Sequence, residues 1–565
     1  REISKHSNDK DGLPEAAKKC IGLKERWKLS PRQHQEIGFS FILFGKRIVL
    51  ADEMGVGKTL QAIAAMDFLL ASQQIKRIII VCPVSIKRNI INEIEMNTDW
   101  LEHKFNIVSI QGSAYDRKDM EEEILYGQLR DRTKWVIYNY EQLQKSDYFK
   151  KLVEGAGVIA DEAHKLCNPK TKQTRAFQEA TENVAKVKYM IIMTGTPIVN
   201  SPNDAFQLAT VARPGVFGSW YYFKKHFMIT ESTRFGEKSL AFKNIEQLKE
   251  MTAPFIIRRL KRECLDLPPV IFKQETVDLT EDQTKRYVDF VNKMQTMFED
   301  GDFGNIIDKL DINDIENLDE IDIIINPSAK GGNANYNAPH FTLESKRMSM
   351  LIKIKAAIAM MVRLYQVTSG YVSDGSQYAF FKDGGAKIQL IDDILEECER
   401  AGDPVIIWTR FVPPILYMNE RYKRMNPSLI YGGVKVGPDR DAQIEKFLSG
   451  KSGLGLFQIQ SGGVGLNFVN CNRHIFLNRW WNFAINDQAI GRSDRFGQER
   501  SLFVHNIVSV PNEAMREQIG PNIKTICQIV EQIVARKTNV SKDLFSRVDY
   551  AEDISFSEIK ESCGL

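Results

Sequence analysis

A short glycine-containing stretch carries the residue types that a polyphosphate site needs. An apolar run leads into the sequence DEMGVGKT, which begins at Asp52, and a helical pattern follows it. At Gly55 and Gly57 the main chain can close its N–H groups around phosphate oxygens, where a side chain would intrude. Lys58 is predicted to reach the β- and γ-phosphates of a nucleotide, and the hydroxyl of Thr59 to bind Mg²⁺. Asp52 departs from the generic phosphate loop, which has a glycine there.

Two adjacent carboxylates close another apolar run. Asp161 and Glu162 begin the sequence DEAH, which directly follows GVIA. We expect Asp161 to hold Mg²⁺, directly or through water, and Glu162 to polarise the water that attacks the γ-phosphate. His164 could then sense the γ-phosphate. Taken alone, the pattern also fits an acidic helix N-cap after a strand, but beside a phosphate loop the catalytic interpretation is favoured.

Two weaker signals accompany these motifs. Gln33 precedes the phosphate loop by a short helix. A glutamine there can read both the donor and the acceptor of adenine, although an exposed helical glutamine is the ordinary alternative. The sequence MTGTP, which begins at Met193, ends a further apolar run with small hydroxylated residues. It is either a structural turn or a link between the nucleotide state and binding of a polymer track.

The C-terminal half of the chain offers further groups for phosphate. In QSGGVGLN (460–467) the glycines expose backbone N–H groups that can approach a sugar–phosphate chain. Arg492 and Arg495 are three residues apart, so on a helix both would face one side. Guanidinium forks aimed at a phosphate can raise the rate of phosphoryl transfer by about 10³–10⁵. A solvated basic helix face is the ordinary alternative. Gln488, in the same block, is a candidate nucleotide contact.

The apolar runs that must position these residues form two sets. Short β-branched runs separated by helical stretches extend from Arg47 to Met193, and a second set extends over 403–508. The runs are continuous rather than alternating, which is typical of strands buried on both faces of a parallel sheet. We therefore predict an α/β fold with two parallel-sheet lobes, and with helical insertions between and within them.

The intervals between the runs predict the domain boundaries. Residues 301–341, which mix acidic residues with a turn-rich stretch, are expected to form a mobile surface insertion, and 280–300 an amphipathic helix. The predicted domains are an N-terminal lobe over 1–270 with a helical insertion at about 200–256, a helical linker region over 271–385, a C-terminal lobe over 386–535 and a tail over 536–565.

Composition narrows the class of protein. The 565 residues exceed what one hydrophobic core holds. The net charge is only +3, so a polyanion partner would need a local basic groove. The 8 cysteines include no C-x-x-C pair, which argues against a zinc module or a disulfide framework and for a reducing, intracellular compartment. No apolar run approaches the roughly 18 residues that cross a bilayer, so we expect no membrane role.

These blocks, in this order, resemble the SWI/SNF-like ATPases, the branch of superfamily two helicases that translocates on double-stranded DNA. ADEMGVGKTLQAI, including Asp52, is similar to that family's nucleotide loop, and IGRSDRFGQ is the most specific match. The sequence WWNF, which ends at Phe483, leans toward the compact branch of HARP-like annealing helicases and bacterial and viral members, with Phe483 in place of the expected proline. Other matching blocks are IIIVCPVSIKRNIINEI, VIYNYEQL, DEAHKLCNPKT, MTGTPIVNSP, IIRRLKRECLDLPP and QSGGVGLN.

The resemblance implies that ATP and Mg²⁺ bind between the two lobes, with the arginine pair supplied by the second lobe. Closing and opening would step the lobes along one strand of a duplex. Contacts would go to phosphate and sugar, so binding should be salt-sensitive and nearly sequence-blind. The implied contacts are Ser85, Lys87, Asn139, Tyr140, Asn168, Thr196, Asn200, Trp408, Thr409, Arg410, Gly432, Gly433, Ser461 and Gly462.

We therefore predict an ATP-dependent translocase on double-stranded DNA, used to remodel protein–DNA complexes or DNA structures, with protein partners supplying specificity. The alternative is a strand-separating DNA or RNA helicase, for which the sequence shows no obvious wedge hairpin. A non-enzymatic scaffold is disfavoured because every catalytic position holds a competent residue.

Overall fold

The computed structural model describes residues 31–98, 106–195, 202–233, 236–299, 359–373, 377–434, 437–462, 466–481 and 483–543. The chain divides into two compact units, the first made chiefly of residues before Pro268 and the second chiefly of residues from Pro268 onward. Each unit is built on a parallel sheet with helices, which confirms the predicted α/β class.

Buried apolar runs form the sheet of the first unit. Its strands, in chain order with a separate hairpin, are β1 (Arg47–Leu50), β2 (Ile78–Cys82), β3 (Ile107–Ser109), β4 (Trp135–Asn139), β5 (Gly157–Ala160), β6 (Tyr189–Met193), β7 (Met228–Thr233), β8 (Gly236–Phe242) and β9 (Ile256–Ile257). Seven of them pair in parallel, in the order β3-β4-β2-β5-β6-β1-β9. Because β5, β6 and β1 are neighbours, the motifs that follow them emerge side by side at the carboxyl edge of the sheet.

Helices cover the first sheet and are tied to it by buried side chains as well as by apolar packing. Arg47 at the start of β1 donates from Nε to the carbonyl of Ala212 at 2.8 Å and from Nη1 to that of Val187 at 2.7 Å. The helices are α1 (Gln33–Gly45), α2 (Lys58–Ala71), α3 (Lys87–Asn97), α4 (Ala114–Leu125), α5 (Tyr140–Leu143), α6 (Phe149–Leu152), α7 (Lys172–Thr181), α8 (Pro202–Ala212), α9 (Trp220–Phe227), α10 (Ile245–Thr252) and α11 (Lys261–Cys264).

The segment predicted as a helical insertion at about 200–256 is mixed rather than helical. Strands β7 and β8 pair as an antiparallel hairpin between α9 and α10. The prediction missed the hairpin because the sequences MITEST and GEKSLAF lack the continuous apolar run that marks a strand buried on both faces. Beside it, Phe206 and Phe217 each pack against Phe223 with ring centroids 4.8 Å apart.

The second unit contains six parallel strands and a small antiparallel pair. Its strands are β10 (Val270–Asp278), β11 (Tyr371–Ser373), β12 (Tyr378–Phe380), β13 (Val405–Thr409), β14 (Ser428–Ile430), β15 (Leu454–Gln458), β16 (Arg473–Phe476) and β17 (Leu502–Val510). The sheet order is β10-β17-β16-β13-β15-β14, while β11 pairs with β12.

The region predicted as a helical linker, 271–385, begins with a sheet strand of the second unit. Strand β10 pairs with β17 along its whole length. It is an edge strand with mostly exposed side chains, so no buried apolar run announces it. The predicted amphipathic helix follows as α12 (Glu281–Glu299), whose Tyr287 and Val291 share a core cluster with Met515 and Ile526.

The remaining helices of the second unit surround its sheet. Within the described ranges, no helix is both long enough and apolar enough to span a membrane. The insertion predicted at 301–341, and the tail beyond residue 543, lie outside those ranges. The helices are α13 (Ala386–Ala401), α14 (Val412–Arg421), α15 (Pro438–Leu448), α16 (Ile459–Gly462), α17 (Phe483–Ile490), α18 (Glu513–Ile519) and α19 (Ile526–Asp543).

Candidate functional site

The predicted phosphate loop runs from the end of β1 to the first turn of α2. Gly55 and Gly57 have φ angles of 84° and 86°, in the left-handed region that favours glycine. Gly57 is also the N-cap of α2, and a Cβ atom there would meet the side-chain amide of Gln35. The loop therefore depends on glycine, and it leads into a helix N-terminus, where backbone N–H groups and the helix dipole favour anions.

The amino group of Lys58 folds back over this loop. Its Nζ donates to the carbonyl oxygens of Asp52, at 2.8 Å, and Glu53, at 3.1 Å. Burial lowers the pKa of Lys58, and the negative charges of Glu162, Asp52 and Asp161 act against that shift. The ammonium group is therefore within electrostatic reach of both the phosphate loop and the DEAH sequence.

The DEAH sequence leaves the end of β5 in a tight turn. The N–H of Asp161 donates to the carbonyl of Val81 at 2.8 Å, and the N–H of Glu162 donates to Oδ1 of Asp161 at 2.9 Å. Glu162 has φ 50° and ψ 49°, a left-handed conformation that is rare for residues other than glycine. Such backbone strain, of order 1–3 kcal/mol, clusters at functional sites. His164 stands beside it, with Nδ1 3.4 Å from Oε2 of Glu162.

The carboxyl group of Asp161 is electrostatically strained. Burial and the neighbouring charge of Glu162 raise its pKa, while the ammonium group of Lys58 opposes the rise. A bound cation would favour the ionised form of such a carboxylate. Thr59, the second residue of α2, can add a hydroxyl oxygen. Mg²⁺ prefers oxygen ligands and is bound through one or two carboxylates together with water and substrate phosphates, so this donor set fits it.

The end of β6 lies beside the phosphate loop. The N–H of Thr194 donates to the carbonyl of Leu50 at 3.2 Å, which extends the pairing of β6 with β1. A Cβ atom on Gly195 would lie 2.6 Å from Cγ of Met54 and 3.6 Å from Nζ of Lys58. Gly195 is thus packed against the phosphate loop. Thr196 and Asn200 lie outside the described residues.

The N-terminal end of α1 also packs on the phosphate loop. Nε2 of His34 lies 2.9 Å from the carbonyl oxygen of Val56, and Gln35 abuts Gly57. Gln33, the candidate adenine contact, is the exposed first residue of this helix. Gln33 directly precedes these two contacts in the chain, and its contact with adenine stays a prediction.

Two predicted nucleic-acid contacts of the first unit are engaged inside the protein. Lys87 is buried, and its Nζ donates to the carbonyl of Ile110 at 2.8 Å. Burial lowers the pKa of Lys87 to about 8. Oδ1 of Asn139 accepts the N–H of Gln142 at 2.9 Å and caps α5. The predicted track contacts of Lys87 and Asn139 stay predictions, and each side chain would have to exchange these partners to meet a phosphate strand.

Tyr140 is misplaced by the sequence prediction. Its side chain is fully buried, and its hydroxyl donates to the carbonyl of Asp161 at 2.7 Å. Buried aromatic residues of this kind present no surface to a polymer. The hydroxyl of Tyr140 supports the DEAH turn from inside the protein, where the side chain does not reach nucleic acid.

Two other candidates of the first unit do reach the surface. Ser85 is half-buried in the turn Val84–Ile86 after β2. Asn168 is exposed beyond the DEAH sequence, where its Oδ1 accepts the N–H of Lys170 at 2.9 Å. These two side chains can meet a phosphate strand without rearrangement of the core.

At the end of β13 the predicted contacts are buried. Trp408 and Thr409 are 0% exposed, and the Thr409 hydroxyl donates to Oδ1 of Asn478 at 2.8 Å. Arg410 is 7% exposed, with its guanidinium carbon 4.2 Å from the ring centroid of Trp480. The predictions of Trp408 and Thr409 as track contacts are therefore corrected, because their side chains complete the core.

Gln458 at the end of β15 gathers most of the other second-unit candidates. Its Oε1 accepts the N–H of Gly432 at 3.1 Å and the hydroxyl of Ser461 at 3.2 Å, and its Nε2 donates to the carbonyl of Arg410 at 3.3 Å. Gly432 is exposed and Ser461 is half-buried. The candidate residues at this loop cluster are Gly432, Gly433, Ser461 and Gly462.

The arginine pair lies in turns rather than on a helix. Helix α17 ends at Ile490, and beyond it the carbonyl of Arg492 accepts the N–H of Phe468 at 2.8 Å. The expectation that Arg492 and Arg495 share one helix face is wrong, because the helix stops before either residue. Both side chains are half-buried, while Gln488 is buried within α17.

A buried hydrogen-bonded chain anchors the turn between the two arginines. Nε1 of Trp408 donates to Nδ1 of His474 at 2.9 Å, so the ring proton of His474 is assigned to Nε2, 2.8 Å from Oγ of Ser493. The Ser493 hydroxyl donates to the carbonyl of Phe468 at 2.9 Å. Burial lowers the pKa of His474 to about 3. A neutral histidine thus links the sheet to the arginine turn.

Sequence reasoning missed three residues of these networks. Arg259 and Gln61 contact Asp52 in the first unit, and Gln458 joins loops of the second. Arg259 stands in a matching block, IIRRLKRECLDLPP, but the spacing alone does not show which arginine turns inward. Gln61 lies one turn after Lys58 on α2, the spacing that brings side chains to one helix face, and that signal was available.

Two family models match the chain. A family model of the SNF2-related domain matches residues 36–321, and a model of the helicase conserved C-terminal domain matches residues 386–497. The first match covers the phosphate loop and the DEAH sequence, and the second covers Gln458 and the arginine turn.

Two curated relatives are similar over nearly the whole chain. The CHD3-type chromatin-remodeling factor CHR7 of Arabidopsis thaliana is 23% identical over 545 residues, which are 94% of this chain and 40% of that protein. The putative ATP-dependent helicase/translocase YwqA of Bacillus subtilis is 23% identical over 558 residues, 94% of this chain and 50% of that protein. The chain thus spans half or less of these two relatives. A solved Sulfolobus solfataricus SWI2/SNF2 ATPase core in complex with dsDNA matches 92% of this chain and 94% of its own, with 26% identity and a TM-score of 0.38.

Proposed function

The chain belongs to the SNF2-related family of helicase-like ATPases, and from that premise we propose that it is an ATP-dependent translocase on double-stranded DNA. The observation that carries the proposal is that Lys58, after β1, and the DEAH carboxylates, after β5, lie at the same edge of one parallel sheet and act electrostatically on each other. A cation for phosphate and a carboxylate pair for metal and water are the parts that ATP hydrolysis requires.

In the proposed reaction, water attacks the γ-phosphate of ATP and ADP leaves. Lys58 exchanges its main-chain carbonyl partners for phosphate oxygens, which neutralises charge that grows in the transition state. Glu162 orients the attacking water and accepts its proton. Mg²⁺ held by Thr59 and Asp161 would supply further neutralisation at the phosphates. Gln33 would read the adenine, and His164 would sense the γ-phosphate beside Glu162.

The second unit is proposed to complete the site from the other side of the nucleotide. Arg492 and Arg495 would approach the γ-phosphate when the units close on ATP, and Gln488 would support the turn that carries them. Arginine forks suit this task because each is planar, permanently charged and able to bind two oxygens. The buried His474–Ser493 link would keep the turn rigid, which lowers the entropic cost of alignment.

The proposed track is the phosphate backbone of one DNA strand. Asn168 and Ser85 of the first unit and the glycine loops around Gln458 in the second offer polar groups at the surface. Such contacts bind duplexes of different sequence with similar affinity and weaken as salt rises. Each cycle of closing and opening would advance the two units along the strand. Protein partners would then direct the motor to particular protein–DNA complexes.

The test measures ATP hydrolysis with and without a blunt duplex, beside a triplex-displacement assay and a fork-unwinding assay. We expect the duplex to stimulate hydrolysis, and the third strand of the triplex to be displaced only with ATP. A duplex of unrelated sequence should serve equally well, and Glu162→Gln is the control for hydrolysis. Unwinding of the fork without displacement of the triplex would favour a strand-separating helicase, and hydrolysis indifferent to nucleic acid would refute the motor.

A further inference from the structure

Arg259 contacts three parts of the nucleotide site from a fully buried position. Its Nε and Nη2 donate to the two carboxylate oxygens of Asp52, at 2.9 and 2.5 Å. Nη2 also donates to Oε1 of Gln61 at 2.7 Å, and Nη1 donates to the main-chain carbonyl of His34. Asp52 begins the phosphate loop, Gln61 lies in the first turn of α2, and His34 lies in the first turn of α1.

The main chain around Arg259 follows the phosphate loop in register. The N–H of Ala51 donates to the carbonyl of Ile257 at 2.8 Å, and the N–H of Glu53 donates to that of Arg259 at 2.9 Å. The carboxylate of Glu53 in turn accepts the N–H of Lys261 at 2.7 Å. The segment is thus bound along the loop by both main-chain and side-chain contacts, and it leads directly to the point where the chain enters the second unit.

Burial of the Asp52–Arg259 ion pair carries a high desolvation cost. Asp52 and Arg259 are both 0% exposed, so both charges have lost their water. Apolar residues of similar volume often stabilise a protein as well as such a buried pair does. The packing is also tight, since a Cβ atom on Gly38 of α1 would lie 2.8 Å from Nη2 of Arg259. We therefore expect the Asp52–Arg259 ion pair to fix the geometry of the site more than it stabilises the fold.

Asp52 links the guanidinium group of Arg259 to the phosphate-binding Lys58. Lys58 donates to the carbonyl oxygen of Asp52, whose carboxylate Arg259 holds. Gln61 closes the loop from the other side, because its Nε2 donates to the carbonyl of Gly57 at 3.3 Å. The start of the loop, its last glycine and the helix that follows are therefore fixed relative to one guanidinium group.

We propose that Arg259 is a positioning residue of the nucleotide site, which clamps the phosphate loop, α1 and α2 into the geometry that binds ATP. The proposal rests on the proposed function, since it assigns Arg259 a role at the same site. Asp52 takes the place of the glycine of generic phosphate loops in order to receive this clamp. A lysine cannot replace Arg259, because one ammonium group cannot hold a carboxylate in two-point contact and also reach Gln61 and His34.

The experiment measures three quantities for the parent and its variants, all in the full chain. They are the Kd for the fluorescent analogue mant-ATP, the midpoint of thermal unfolding, and the duplex affinity without nucleotide. The central variant is the double Asp52→Leu/Arg259→Met, which removes both charges and keeps the volume. We expect its midpoint of unfolding to stay near the parental value, while the Kd for mant-ATP rises about tenfold or more, since a small misplacement in a site of this kind is costly. Duplex affinity without nucleotide should not change. The Kd for mant-ATP should also rise in the single variant Arg259→Lys.

The outcomes separate the clamp from the site itself. If Lys58→Ala binds mant-ATP as well as the parent does, the proposed nucleotide site is wrong. If Lys58→Ala loses binding but the folded double variant binds like the parent, the clamp is wrong and the pair is merely structural. Should the double variant not fold, Gln61→Met decides instead, because at similar volume it breaks the link that runs from Arg259 through Gln61 to the carbonyl of Gly57. A rise of about threefold in its Kd supports the clamp, and parental binding overturns it.

Discussion

The hydroxyl of Tyr140 donates a 2.7 Å hydrogen bond to the main-chain carbonyl of Asp161, and this bond joins the end of β4 to the DEAH turn. The chain after β4 therefore supports the carboxylates at the end of β5, two strands away in the sheet. The contact turns a residue expected at the nucleic-acid surface into a support for the nucleotide site.

Substitution of Tyr140 tests that reassignment. Tyr140→Phe removes one buried hydrogen bond and should lower the free energy of unfolding by about 1 kcal/mol. Because the Asp161 turn loses its support, we expect kcat for ATP hydrolysis to fall by roughly threefold to tenfold. The duplex Kd should stay at its parental value, measured by fluorescence anisotropy. Tyr115→Phe, at a 78% exposed tyrosine, is the matched control. A weaker duplex affinity with unchanged kcat would instead indicate that Tyr140 contacts the nucleic acid.

The two charged groups of the nucleotide site should separate binding from chemistry. Lys58→Ala removes the phosphate cation and should raise the Kd for mant-ATP, with loss of hydrolysis. Glu162→Gln keeps the shape of the side chain but not its basicity, so hydrolysis should fall by about 10²-fold or more while mant-ATP still binds. Equilibrium binding and steady-state hydrolysis measured on the same preparations check both results. Parental turnover in either variant would remove that residue from the site.

Arg492 offers a test of the second unit. If it acts as an arginine finger, Arg492→Ala should bind mant-ATP with nearly parental affinity but lose duplex-stimulated turnover by about 10³-fold. Arg424→Ala, which removes a 77% exposed side chain paired with Glu399, controls for the loss of a positive charge. Single-turnover hydrolysis separates the chemical step from binding. An equal loss of binding and turnover would argue against a finger.

The sequence predicted the sheet strands and the nucleotide motifs because their signals are local. Continuous apolar runs mark strands such as β5, and DEMGVGKT carries its glycines, lysine and threonine within eight residues. The edge strand β10 was not predicted, because an exposed edge strand does not need a continuous run of apolar side chains. Motif membership also does not reveal which way a side chain points, so Tyr140 and Thr409 were placed at the surface although both are buried.

Contacts between distant parts of the chain were beyond sequence reasoning for a different reason. Arg259 and Asp52 are separated by 207 positions, and their ion pair follows from the parallel pairing of β1 with β9. A single sequence contains the strands but not their order in the sheet. The helix expected under Arg492 and Arg495 failed on a shorter scale, because the spacing of three residues is compatible with a turn as well as with a helix.

Gln458 should affect nucleic-acid binding without touching ATP. Gln458→Leu removes three hydrogen bonds that align the loops at Gly432 and Ser461 with the end of β13. At about 0.5–1.5 kcal/mol for each bond, a partial loss of alignment should weaken duplex binding by roughly threefold to tenfold. Anisotropy titrations at two salt concentrations should give parallel lines, since no phosphate-neutralising charge is removed. Gln389→Leu, on the exposed face of α13, controls for a leucine at the surface. An unchanged duplex Kd would exclude these loops from the track.

The buried His474 makes the second unit sensitive to acid. Its pKa is lowered from 6.5 to about 3 because the imidazole is fully enclosed between Trp408 and Ser493. Above pH 6.5 the ring is neutral in the folded and unfolded chains alike, so it adds no pH dependence there. As the pH falls below 6.5 only the unfolded chain takes up the proton, so the free energy of unfolding should fall by about 1 kcal/mol over the first unit and by about 1.4 kcal/mol for each further unit towards pH 3.

Urea unfolding followed by circular dichroism at pH 6.5 and 5.5 measures the effect of His474 when the parent is compared with His474→Gln. The glutamine can accept from Trp408 and donate to Ser493, but it cannot be protonated in this range. The variant should therefore lose about 1 kcal/mol less than the parent over that one unit, since the unfolded imidazole is already half protonated at pH 6.5. Identical acid sensitivity in the parent and His474→Gln would show that the Trp408–His474–Ser493 chain does not hold a neutral imidazole, and that the rigid support proposed for the arginine turn has another origin.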